Sequence, residues 1–111
     1  MAIEIRRVVE RFGTGPWLIE RALSGEPSRS LKKDAAGWSV CEVLVHLSDA
    51  ELVRAVRIRL ILAEDVPALF SFDEGEWRDR LSYAGRDAEA ALRMYRDAVE
   101  ATADLLENVD P

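Results

Sequence analysis

The sequence is poor in the residues from which most small active sites and covalent scaffolds are built. One cysteine excludes an internal disulfide, and one histidine excludes a His-His metal clamp or a histidine dyad within a single copy. There is no CxxC pair, no Gly-rich phosphate loop and no Ser/His/Asp set, and "GTGP" at 13–16 reads as a turn. Uninterrupted apolar runs are short: the richest, Leu52 to Ala63, is broken by Arg54, Arg57 and Arg59, too charged for a membrane span. The start "MAIEIRRVVE" lacks the apolar stretch and small-residue cleavage site of a secretory leader. Basic residues are outnumbered, 15 against 21 acidic ones, and a net charge of -6 opposes attraction to phosphate backbones or anionic lipid surfaces. The expectations are a cytoplasmic protein with neither a nucleic-acid nor a membrane partner.

What is present is helical patterning. Nearly half of the 111 residues are apolar, enough for one core. Breaks at Gly13 to Pro16, Ser24 to Gly37 and Asp65 to Gly75 punctuate three helical stretches. In the first, Ile5, Val8, Val9, Phe12, Ile19, Ala22 and Leu23 share one face across "GTGP", which predicts a helix kinked near Gly13–Pro16. The second opens at Ser39 with a capping box: Ser39 accepts from the Glu42 amide while the Glu42 carboxylate reaches back. From there to about Glu64 apolar residues surround most of the circumference, the pattern of a helix covered on several sides. The third, from about Arg86 to Asn108, repeats apolar residues at i, i+3, i+4 and i+7. Between the last two, Pro67 and Gly75 preclude one long helix, but Asp73 can cap a short one around 74–81. No segment sustains strand-type alternation, so the expected fold is all-α, and short connections favour an antiparallel up-down bundle.

Candidate chemistry concentrates on the second helix. Glu42, His46 and Asp49, spaced i, i+4 and i+7, lie within roughly 60° of one another on the helical wheel. An imidazole between two carboxylates can contribute to a divalent-cation site or be a solvated polar stripe, and one helix alone cannot close a coordination shell. Glu51 projects into the apolar arc of Val40, Leu44, Leu47, Ile58 and Leu62. A carboxylate there needs a partner such as Arg54 or an indole N–H, as a buried acid or as a satisfied structural group. Cys41, in the first turn, has no base or resolving cysteine beside it in the sequence, and reads as a small packing residue rather than a nucleophile.

At "GWSVCEVLVHLSDAELVRAVRIRLIL" the sequence resembles the DinB/YfiT-like superfamily of bacterial four-helix proteins. The resemblance rests on Trp38-Ser39, His46-Leu47 and Glu51, continues through Phe72, Asp73 and Trp77, and covers about Ile3 to Val109. It implies a bundle with a divalent metal, nickel or zinc, held by three histidines. The chemistry it implies is thiol S-transfer, isomerisation or hydrolysis using bacillithiol, mycothiol or glutathione. Only His46 carries over as a ligand, with Asp49 or Glu42 as an auxiliary ligand or as an orienter of its imidazole. The other two histidines of the family pattern come as a His-x-x-x-His pair on a last helix, and this sequence holds no second histidine. The expectations are a single domain over 1–111 that is C-terminally incomplete, and a chain inactive by itself. A homodimer is expected to bury the apolar groove where a fourth helix would lie. The alternative is a non-catalytic dimeric binding module using that groove.

Overall fold

The computed structural model describes Gly15, Leu31, Lys33 and residues 36–109. The expected first helix and its kink lie outside these residues except for Gly15, which is helical. Helix α1 spans Val40–Ala63, α2 spans Glu74–Arg80, a single 3-10 turn covers Tyr83–Gly85, and α3 spans Ala88–Asn108. Among the described residues there is no strand, only an isolated bridge between Lys33 and Ser39.

The boundaries follow local chemistry. Ser39 caps α1 with both arms of the capping box formed, so two backbone amides that the helix leaves unpaired find partners. Asp73 caps α2 by accepting from the Glu76 amide, and Asp87 caps α3 by accepting from the amides of Glu89 and Ala90. Between α2 and α3, Ser82 takes a left-handed conformation (φ 52°), which turns the chain into the Tyr83 turn.

The core joins the beginning of α1 to α3. Cys41, Leu44 and Ala88 form one buried cluster with Val40, Leu47 and Leu92 against it. Val45, Tyr83 and Ala91 form a second, flanked by Trp38 and Trp77. Further along, Arg59 donates to the Thr102 hydroxyl. Contacts therefore advance together along both helices, from Cys41 near Ala88 to Arg59 near Thr102, so α1 and α3 run parallel. The all-α bundle is as expected, but up-down alternation fails for this pair. The reason is the connection: residues 64–87 are long enough to return along the ~36 Å of α1 before α3 starts, whereas alternation presumes short loops.

Two helices with different patterns share this core. On α3 the buried residues are Ala88, Ala91, Tyr95, Val99 and Thr102, one stripe at helical spacing. On α1, apolar nearly all round, burial follows position instead: Cys41 to Val53 supply the buried side chains and none comes from Arg54 onward. No helix among the described residues is long and apolar enough to cross a membrane.

Candidate functional site

His46 lies in the second turn of α1, where α2 and the segment before it fold over the helix start. Its ring meets Trp38 edge-on at 5.7 Å between centroids and Phe72 at 6.5 Å, and Phe72 packs on Trp77 at 4.4 Å. The Arg78 guanidinium lies 4.7 Å over the Trp38 ring, closing a circuit from the cap of α1 through the connector to α2. The imidazole is thus walled by aromatic groups, its side chain 23% exposed. Nε2 stands 3.5 Å from Glu74 Oε2. Nδ1 is buried without a hydrogen-bond partner.

The carboxylates sharing the His46 sector have other partners. Asp49 Oδ2 accepts from the Tyr83 hydroxyl at 2.8 Å. Tyr83 is fully buried, and that burial, then the Asp49 hydrogen bond and charge, push its phenol above the usual range, against a smaller opposing effect of Arg86. Glu42 accepts from the Ser39 amide and pairs with Lys33. Burial acts to raise its pKa, yet the Lys33 and Ser39 hydrogen bonds and the Lys33 charge together outweigh it and hold the carboxyl below its ordinary value. Both are tied into the fold, and the carboxylate beside His46 is that of Glu74. Sequence spacing did not reveal Glu74: its only local signal is its place after the Asp73 cap, and its approach to His46 spans the connector.

Glu51 is 2% exposed, its Oε2 bound by the Arg54 guanidinium, while Oε1 is buried without a hydrogen-bond partner. Tyr95 is close enough for the Glu51 charge to add to the effect of burial in raising its phenol pKa, against Arg54. At Gly15 a Cβ would lie 2.8 Å from the Tyr95 hydroxyl, so a larger residue there would force one of the two to shift. Cys41 is buried, its thiol 3.6 Å from the carbonyls of Tyr83 and Arg86. Burial, then the charges of Glu42 and Asp87, raise its pKa, which disfavours the thiolate that nucleophilic chemistry needs.

For a metal the donor set is small. Among the described residues no three His, Cys, Asp or Glu side chains converge. His46 and Glu74 supply two donor atoms facing one another, which fits an open, partial site but not a closed one.

The arrangement is that of a helical bundle with a histidine held near its connector. The structure of YfiT from Bacillus subtilis, a bundle described as having an unusual four-helix topology, superposes with a TM-score of 0.84 at 20% identity, over 99% of this chain and 64% of that one. The fold is therefore that of YfiT. In sequence the chain is 33% identical over 73 residues to the "Putative metal-dependent hydrolase" of Geobacillus thermodenitrificans, a match over 66% of this chain and 41% of that protein. It is 30% identical over 61 residues to the "Putative metal-dependent hydrolase YfiT" of Bacillus subtilis, over 55% of this chain and 34% of that protein. No family model matches. The resemblance to the DinB/YfiT-like superfamily is borne out by these relatives and this fold. The chain spans less than half the length of these curated relatives.

Proposed function

We propose that this chain belongs functionally to the metal-dependent hydrolase lineage for which its relatives are named, or to the thiol S-transferase lineage that its sequence resembles, with His46 as its one histidine ligand, and that by itself it is inactive. The observation that carries this reading is the placement of His46: the sole histidine of the sequence is walled by Trp38 and Phe72, with Nε2 turned to a carboxylate. A divalent ion bound there would supply Lewis-acid polarisation of a substrate or of a thiol or water. Trp38 and Phe72 flank the imidazole. Inactivity is part of the proposal because, among the described residues, the donors beside His46 fall short of the three protein ligands plus an open position that sites of this chemistry ordinarily use.

Metal content after purification, followed by turnover assays with bacillithiol, mycothiol and glutathione, tests the reading. Expected are bound nickel or zinc lost on His46→Ala, and no turnover above buffer. Metal retained by His46→Ala would overturn the assignment of His46, and turnover by the unmodified chain would overturn the claim of inactivity.

A second reading is a non-catalytic homodimeric module. It is favoured by the apolar side chains exposed on α1, Leu52, Val56, Ile61 and Leu62. It expects metal-free protein whose sedimentation gives a dimer at micromolar concentration in both wild type and His46→Ala; a folded monomer would sink it.

A further inference from the structure

We propose that residues 64–81 form a strap that lifts off α1 by local opening, while the rest of the fold stays intact, and so controls access to His46. The inference goes beyond the reading of His46 as a metal ligand and holds for any molecule that reaches the imidazole from solvent.

The strap is held differently from what flanks it. Residues 64–73 are irregular, and α2 contributes no buried side chain. The strap is fastened to α1 by side-chain contacts: the Arg57 guanidinium on the Phe70 carbonyl and ring, Phe72 beside His46, Glu74 beside Nε2, and Arg78 over Trp38. Contacts of this kind, reached by solvent, are each weak. Immediately after the strap, by contrast, Tyr83 is fully buried, its hydroxyl donates to Asp49, and the Cys41 thiol lies against its carbonyl. A segment with few buried side chains opens at a lower free energy than a core that must come apart as a whole.

The backbone supplies the hinges. At one end α1 stops at Glu64, which is extended. At the other, Ser82 is left-handed at φ 52°, a region that costs a residue with a Cβ. Rotation at Ser82 moves α2 as a unit while Tyr83 stays anchored, and it releases that cost. Opening also changes what surrounds the imidazole. Phe72 and Glu74 leave with the strap, whereas Trp38 stays at the start of α1. The half-buried ring is then uncovered on the side that faces α2.

Native-state hydrogen exchange of the full chain tests this, with carbethoxylation of the single histidine by diethyl pyrocarbonate as a second readout. The α2 amides of Trp77 and Leu81, bonded to the Asp73 and Trp77 carbonyls, are expected to exchange at least about 100-fold faster than those of Val45 and Val53, relative to their unfolded rates. Leu44→Ala, which weakens the core, should speed Val45 and Val53 and leave the strap amides and the carbethoxylation rate unchanged. Arg57→Ala unties Phe70 and lies about three helical turns from His46. It should speed strap exchange and carbethoxylation together, about three- to tenfold, with Val45 and Val53 unchanged. If Trp77 and Leu81 exchange as slowly as Val45 and follow Leu44→Ala, the strap opens only with the whole protein and the proposal falls. It falls equally if Arg57→Ala leaves either strap exchange or carbethoxylation unchanged, because the strap is then not held as described or does not cover the ring. Neither readout involves a metal, so either failure leaves the reading of His46 as a ligand standing.

Discussion

The two halves of α1 are nearly equal in apolar content and opposite in environment. From Val40 to Val53 the helix is sandwiched by the start of α3, the Tyr83 turn and the Trp38–Trp77 aromatic group, and Leu44 and Val45 are 1% and 0% exposed. From Arg54 to Ala63, Val56, Ile61 and Leu62 are 46%, 54% and 45% exposed, and the chain beyond continues through the exposed Val66, Leu69 and Phe70. Arg57 donates to the Phe70 carbonyl and lies 5.5 Å over its ring, which ties this connector to the helix without burying it. The comparison teaches that hydrophobicity provides the capacity for burial, while the neighbour decides where it is used. His46 lies in the buried half, flanked by Trp38 and Phe72.

The largest expected difference between the halves is in stability. Leu44→Ala should cost about 2–5 kcal/mol, the range for a buried leucine that leaves a cavity, whereas Leu62→Ala should stay within about 0.5 kcal/mol. Urea unfolding of the two variants checks this, and equal losses would mean that the exposed half is covered in solution.

A smaller effect should separate the two partners of the Glu51–Arg54 pair. Arg54→Ala removes the cation from a carboxylate that is already missing one partner, and should destabilise by about 1–3 kcal/mol. Glu51→Met, which fills similar volume without charge, should be neutral or stabilising. A clear loss on Glu51→Met would show that the orphan oxygen makes an interaction needed by the fold.

The smallest effect concerns pH. The folded-state pKa of Glu42 is lowered, so the unfolded chain takes up the proton first; the contribution of Glu42 is full above about pH 4.3 and is lost as pH falls through the folded value. Glu42→Gln should therefore lower stability at pH 7 and flatten its decline below about pH 4.3. Parallel pH-stability curves for the two proteins would overturn this account of the cap.

Much of the architecture was legible because its causes are local. The Ser39–Glu42 box, the Asp73 cap and the apolar repeat from Ala88 to Thr102 act over three or four residues, and the observed boundaries fall within two residues of those expected. Arg54 as the partner of Glu51 was readable for the same reason, being three residues away on one helix. The parallel run of α1 and α3 was not legible, since direction depends on the path of residues 64–87 rather than on any repeat. Nor was the apposition of Glu74 to His46, or of Asp49 to Tyr83, because each joins residues far apart in sequence.

The sequence by itself determined where the helices start, which stripe of α3 is apolar, and that a single histidine stands on the face of α1 flanked by carboxylates. Only the tertiary structure decided which carboxylate meets that histidine and which half of α1 is buried. Capping and periodicity are written in neighbouring residues, whereas long-range contacts are chosen by how whole elements pack, where each pairing competes with every other for the same surface.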